Sequence, residues 1–224
     1  MKQRTRIKFC GITRAADADA AVALGVDAIG LILVPGSPRE LSIAQAQTLR
    51  RRLPPMVSAV VLLRNPTAAL VEEVIEALQP DLLQFHGDES AEFCNRFGQR
   101  YLKAIAMGDS QAAVADRVRP FAAAAGLLFD GHPQGGLGGQ GQAFDWNAVA
   151  TRFAQPVIVA GGLSAANVGA AIEIARPFAV DVSSGIESAP GIKDSGKMSD
   201  FVSAVVRADR ALLDAALRTP RPTQ

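Results

Sequence analysis

The sequence predicts an α/β fold, a single-domain (β/α)₈ TIM barrel. Three observations predict it. Short apolar runs rich in branched residues alternate with longer stretches of helical periodicity; there are eight of each; and one run plus one stretch occupies roughly 25–30 residues. Parallel strands need a crossover between them, a helix supplies it, and eight such units close into a barrel.

The first strand is expected at residues 7–9, with a helix following from Ala15. The second run, 28–33, leads to a helix opening at Ser42, where Ser42 with Gln45 reads as a capping box. After the third run, 57–62, Thr67 caps a helix that places Leu70, Val74 and Leu78 on one face and that Pro80 ends. Residues 82–85 precede a helix capped by Ser90, and residues 102–106 precede one starting near Ser110. Strands at 127–129, 157–160 and 179–182 precede helices near Trp146, Ala165 and Lys197. A doubly wound open sheet competes with the barrel, but it would carry a glycine fingerprint after its first strand. Phe9-Cys10-Gly11-Ile12-Thr13 stands in that place. The barrel is expected to span residues 1–217, with 218–224 a frayed C-terminal tail.

Composition narrows the function. A chain with 49% hydrophobic and 20% charged residues belongs with soluble globular proteins, and a net charge of +1 argues against a dedicated nucleic-acid surface. Two cysteines, Cys10 and Cys94, make no disulfide framework and point to a reducing, cytoplasmic setting. Lys2, Arg4, Arg6 and Lys8 resemble the start of a signal peptide, but Arg14, Asp17 and Asp19 interrupt any apolar run, and no stretch reaches membrane length. With two histidines and no Cys/His cluster, no metal site is expected, and no cofactor. The expected partner is a small phosphorylated molecule, bound by a monomer or homodimer, with no nucleic acid and no membrane.

Barrels of this kind keep their active site at the C-terminal strand ends, so those positions carry the chemistry. Gly161-Gly162 after strand seven and Ser183-Ser184-Gly185 after strand eight offer backbone amides and hydroxyls to an anion, in the two loops where such barrels bind phosphate. As ordinary tight turns, their pairing in these two loops would be a coincidence. A third cluster, Gly135 to Gly141 after strand six, reads as a flap or as a flexible linker. Cys10 ends strand one and faces the site; it acts as nucleophile or base only as thiolate, and otherwise it is a small buried residue. Cys94 sits within an amphipathic helix and is structural. Asp130 ends strand six, where poor solvation would raise its pKa and suit a general acid; Phe-Asp-Gly also suits a simple turn. Arg39, after Ser37-Pro38, offers a guanidinium to a carboxylate. His86 after strand four reads as a ligand contact or a structural hydrogen bonder, and His132 as exposed loop. Lys8 or Lys103 would stabilise the thiolate if directed into the mouth.

Several segments together resemble the phosphoribosylanthranilate isomerase family. They are Lys8-Phe9-Cys10-Gly11-Ile12-Thr13, Ser37-Pro38-Arg39, Gln84-Phe85-His86-Gly87-Asp88-Glu89, Gly138-Gly139-Gln140-Gly141 with Phe144-Asp145-Trp146, and Ala160-Gly161-Gly162-Leu163. Asp181-Val182-Ser183-Ser184-Gly185-Ile186-Glu187 and Gly191-Ile192-Lys193-Asp194 complete the series. They run in order from the first strand to the last helix. The resemblance implies a TIM barrel of the ribulose-phosphate-binding type that carries out an Amadori rearrangement of N-(5-phosphoribosyl)anthranilate in tryptophan biosynthesis. It implies Cys10 as general base, Asp130 as general acid and Arg39 as the holder of the anthranilate portion. His86 is taken as a further substrate contact. The glycines Gly139, Gly141, Gly161 and Gly162, with Ser183 and Ser184, would bind phosphate, with Asp181 near that site. Gln140 replaces the small hydroxyl residue usual in the family's glycine turn, Gly131 a serine, and Leu31 and Leu33 residues that are often aromatic. Two other readings compete. A sister isomerase of histidine biosynthesis typically works with two aspartates, whereas strand one ends here in cysteine. A catalytically silent, metabolite-binding barrel would not need both candidate catalytic groups.

Overall fold

Residues 4–108, 114–132, 143–150 and 153–218 are described by the computed structural model. Eight strands, β1 (Arg6–Cys10), β2 (Ala28–Ile32), β3 (Ser58–Leu63), β4 (Leu82–Phe85), β5 (Tyr101–Ala106), β6 (Gly126–Asp130), β7 (Val157–Val159) and β8 (Ala179–Val182), pair in that order, all in parallel. The sheet closes on itself where Arg6 to Phe9 of β1 align with Ala179 to Val182 of β8. The strands are buried on both faces, as a parallel sheet wrapped by helices requires. Residues such as Phe9, Ile29, Leu31, Val61, Leu63, Phe85, Leu127 and Phe129 point outward against the helices. Val60, Leu102, Ala104, Leu128, Ile158 and Ala160 fill the barrel interior.

The expected caps form. Ser42 Oγ accepts from Gln45 N while Gln45 Oε1 accepts from Ser42 N, opening α2 (Ile43–Arg50). Thr67 caps α3 (Ala68–Leu78) and Ser90 caps α4 (Ala91–Asn95), each through its hydroxyl. In α3 the buried face is Val71, Val74 and Leu78, with Leu70 only partly covered, so the stripe is turned by one residue from the expected one. Gln79 ends that helix in the left-handed conformation just before Pro80.

Other elements differ from expectation. α1 (Ala15–Ala23) starts where predicted, while α5 (Val114–Val118) is one short helix, and the expected start at Ser110 lies outside the described residues. The helix expected at Trp146 is a single 3₁₀ turn, Trp146–Val149, capped by Asp145; four residues hold too few hydrogen bonds for more. α6 (Val168–Ala175) begins three residues after Ala165. A hairpin of β9 (Glu187–Ala189) and β10 (Ile192–Lys193) follows β8; these runs are too short to carry a readable alternation. α7 (Ser195–Arg218) includes Arg218, which the sequence assigned to the tail; residues 219–224 lie outside the described ones. Phe201 of α7 meets the ring of Phe9 edge-on and seals the last helix to the first strand. Among the described residues, no helix is long and apolar enough to cross a membrane.

Candidate active site

Inward-pointing side chains turn from apolar to polar toward the C-terminal strand ends. There Cys10, Arg39, His86, Asp130, Asp181, Gly161, Gly162, Ser183 and Ser184 line one cleft, so nine of the eleven residues singled out in the sequence come together. Gly139 and Gly141 lie outside the described residues.

Cys10 and Lys8 share the inner face of β1, and Gly30 is their neighbour on β2. A side chain on Gly30 would lie 2.8 Å from Cys10 Sγ and 3.1 Å from Lys8 Nζ, so the glycine opens the space that both occupy. Lys8 Nζ donates to Asp181 Oδ1 at 2.8 Å in a buried ion pair. Asp181 thus joins the groups around Cys10, on the cleft that Gly161, Gly162, Ser183 and Ser184 also line. Burial pushes the Cys10 thiol up, Lys8 and Lys193 draw it back, Asp181 adds to the rise, and the net shift is upward. Lys103 does not serve the thiol: its Nζ donates to Glu89 Oε2 and to Gly87 O, each at 2.6 Å.

Asp130 was expected to be raised by apolar surroundings. Burial does push it up, but His132, with ring and backbone N–H, and His86 more than offset this, and the carboxyl sits below its ordinary value. His132 N donates to Asp130 Oδ1 at 3.2 Å, and His132 Nδ1 lies 3.1 Å from the same oxygen. His86 Nε2 approaches Oδ2 at 3.7 Å. The reading of His132 as exposed loop is therefore overturned: it is 5% exposed and stacks on the His86 ring at 4.8 Å between centroids. Chain reversal at Gly131 folds it back over Asp130, a step that no periodicity records. Burial lowers His86 to about 4, leaving it neutral near pH 7. Gln84, also absent from the sequence prediction, places its amide nitrogen 2.9 Å from His86 Nδ1.

Arg39 reaches the cleft with half of its fork taken. Nε and Nη2 donate to Glu187 Oε1 and Oε2 at 2.8 and 2.7 Å. Lys193 Nζ donates to the same carboxylate at 2.7 Å and to Ser183 O at 3.1 Å. Burial opposes the charge on Glu187, yet Arg39 and Lys193 hold it below the usual range. Glu187 and Lys193 both lie in segments that carry the family resemblance, but the sequence assigned neither a role; their burial and pairing reveal one. The chain passes beneath Arg39 at Gly11, whose φ of +73° favours glycine and where a side chain would lie 2.4 Å from Arg39 Cδ.

Loops seven and eight press together. A side chain on Gly185 would come within 1.9 Å of Leu163 O, and Gly161 and Gly162 both take positive φ, 76° and 63°. Asn167 braces loop seven, donating to Gly162 O and accepting from Ser164 N, each at 2.8 Å. The result is a concave turn with small residues on both sides, beside the start of α6, and such surroundings suit an anion.

Among the described residues, His86, Asp130 and His132 form a group able to hold a metal ion, their donor atoms lying within 4.8 Å of one another. No such group was expected from two histidines widely separated in sequence.

A sequence model of the family described as N-(5'phosphoribosyl)anthranilate (PRA) isomerase matches residues 7–204. The chain is 49% identical over 212 residues to the N-(5'-phosphoribosyl)anthranilate isomerase of Stenotrophomonas maltophilia strain R551-3, covering 94% of this chain and 97% of that one. It is 46% identical over 214 residues to the isomerase of the same name from Bordetella avium, covering 92% and 97%. Among solved structures, phosphoribosyl anthranilate isomerase from Thermotoga maritima superposes with a TM-score of 0.81 at 33% identity, over 91% of this chain and 99% of that one. A phosphoribosyl anthranilate isomerase in complex with reduced 1-(o-carboxyphenylamino)-1-deoxyribulose 5-phosphate superposes with a TM-score of 0.79 at 32% identity, with the same coverages.

Proposed function

The chain belongs to the N-(5'-phosphoribosyl)anthranilate isomerase family, and from that premise we propose that Cys10 and Asp130 are the base and acid of its reaction. The protein is an aldose–ketose isomerase of tryptophan biosynthesis, converting N-(5-phosphoribosyl)anthranilate to 1-(2-carboxyphenylamino)-1-deoxyribulose 5-phosphate. The observation that supports the assignment of roles is the placement of both groups on one cleft, with the loops of Gly161-Gly162 and Ser183-Ser184 on its rim.

Asp130, protonated, gives its proton to the furanose ring oxygen. The bond from that oxygen to C1′ breaks, and the anthranilate nitrogen lone pair forms the C1′=N iminium. The iminium acidifies the C2′ proton, which the Cys10 thiolate removes, and the released electron pair makes the C1′=C2′ bond of an enolamine. Tautomerisation gives the C2′ ketone. The cation of the iminium is itself the electron sink.

Loops seven and eight anchor the phosphate, and Arg39 takes the anthranilate carboxylate through the part of its fork that Glu187 leaves; His86 contacts the sugar end beside Asp130. Such anchoring orients the sugar between base and acid. The barrel, through Arg218 at the end of α7, works as one domain, as a monomer or homodimer in the cytoplasm; the Thermotoga maritima relative is described as dimeric, with monomers generated from it.

Loss of substrate fluorescence on adding purified protein measures the reaction. Cys10→Ala and Asp130→Asn are each expected to lower kcat by roughly 10²–10⁴-fold while still binding a product analogue. Full turnover by Cys10→Ala would remove the thiol from the mechanism.

A further inference from the structure

We propose that His86, Asp130 and His132 form a binding site for a divalent transition cation of the zinc or cobalt type, and that the bound ion blocks the isomerase. Two imidazoles and one carboxylate are a donor set of the borderline kind these ions take, and three protein ligands leave one position open toward the cleft.

The three donors, one from each residue, lie within 4.8 Å of one another, so a shift of about 1 Å or a bridging carboxylate brings them to what such an ion needs. Metal bonds of about 2.0–2.2 Å set ligand atoms ~3.3 Å apart around a tetrahedral centre. His132 Nδ1 lies 3.1 Å from Asp130 Oδ1, and His86 Nε2 lies 3.7 Å from Oδ2. All three side chains are less than 10% exposed. His86 Nε2 and His132 Nδ1 are buried and neither is aligned for a geometrically good hydrogen bond, although both approach the same carboxylate. Buried polar atoms without a good partner are uncommon, and an ion between them is one way to satisfy both.

The surroundings already hold the ligands. Gln84 fixes His86 from behind, at Nδ1. With the amide turned so that its oxygen accepts from Nδ1–H, the lone pair of Nε2 faces Asp130; Gln84 Oε1 has no other partner. The nearby ammonium groups, Lys8 and Lys103, disfavour positive charge at His86, but their pairing with Asp181 and Glu89 offsets part of that repulsion. His86 and Asp130 line the cleft, which provides an entry path.

Binding stands on this geometry alone. Inhibition rests in addition on the reading of Asp130 as the acid, since a coordinated carboxylate can no longer hold and deliver the proton.

The chain contains two histidines, so imidazole signals in NMR are readily assigned. Zn²⁺ added to the whole, tag-free protein should shift both ring systems, and unmoved rings would overturn the site. Co²⁺ should give visible bands of equal strength in wild type and Cys10→Ser. Its affinity should fall at least about tenfold in His132→Asn and in Gln84→Ala. Bands that vanish in Cys10→Ser, or are unchanged in His132→Asn, would place the ion elsewhere. If His132→Asn does not fold, the wild-type NMR result decides. Bound ion with full turnover would instead overturn the acid role of Asp130 and leave the site standing.

Discussion

Lys8 Nζ lies 2.8 Å from Asp181 Oδ1, and this ion pair is enclosed in the barrel two residues before Cys10 on the same face of β1. The lysine is thereby the largest single influence holding the thiol down against burial. Removing one partner of such a pair leaves an uncompensated buried charge and costs roughly 3–5 kcal/mol. Lys8→Met should therefore lower the denaturation midpoint markedly, and Lys8→Met with Asp181→Leu should recover most of it. The single variant should also raise the pH at which Cys10 becomes alkylated, followed by mass spectrometry of the Cys10 peptide. A Lys8→Met protein as stable as wild type would mean that the pair carries no weight.

The barrel was legible because its signals are local and repeated. Each strand is a branched apolar run, and Ser42, Thr67 and Ser90 announce helices by their own capping chemistry. Cys10, Asp130 and the two rim loops were legible because the fold rule assigns strand ends to the site. What was hidden depends on contacts distant in sequence. Glu187 meets Arg39 across 148 positions, and His132 meets His86 only because β4 and β6 converge at the mouth. Burial of a polar side chain is invisible until its partner is known, which is why Glu187, Lys193 and Gln84, although inside family-like segments, were assigned no role. The pKa direction of Asp130 failed for the same reason: the apolar run before it was visible, and the ring folded back over it was not.

Arg39 is bound on one side by Glu187, and this sharpens what its loss should do. On the proposed role of Arg39, Arg39→Ala should remove a charge-assisted contact to the substrate carboxylate, worth about 1.5–3 kcal/mol, or roughly 10–100-fold. If that contact is equal in ground and transition states, KM rises by this factor and kcat holds. Glu187→Gln frees the guanidinium from its fork and should raise KM in the same direction, with little further effect in the Arg39→Ala background. An equal fall in kcat and kcat/KM for Arg39→Ala would place the guanidinium in the transition state instead.

Gly185 holds loops seven and eight in contact. Its missing side chain is required by the Leu163 carbonyl, which would lie 1.9 Å from a Cβ, and backbone cannot yield as a flexible side chain does. Gly185→Ala should push the two loops apart, and a displacement of about 1 Å at an anchoring group can cost on the order of 10²-fold in kcat/KM. Inorganic phosphate should compete with substrate in wild type and compete far less in Gly185→Ala. Equal competition in both would separate Gly185 from the phosphate site.

With Cys10 as the proposed base and Asp130 as the proposed acid, the pair enters the cycle in protonation states opposite to those the roles need. Burial raises the Cys10 thiol above 9.0, and the surroundings of Asp130 lower its carboxyl below 3.8. Near neutral pH the empty cleft therefore holds a thiol and a carboxylate, while the reaction asks for a thiolate and a carboxylic acid. Both arrangements contain one proton, so their ratio does not change with pH between the two pKa values. Below the lower value both groups are protonated and the base is lost; above the higher value both are ionised and the acid is lost. The profile of kcat/KM should thus be a broad plateau, falling in acid with a limb belonging to Asp130 and in alkali with one belonging to Cys10. The substrate phosphate adds its own step at about 6, and His86, lowered to about 4 by burial, is neutral over all of the plateau but its acid end. Rates measured at constant ionic strength with a substrate-independent correction for the phosphate would test this. A narrow bell centred near neutrality would overturn these directions, because it would require both pKa values of the pair to lie close to 7.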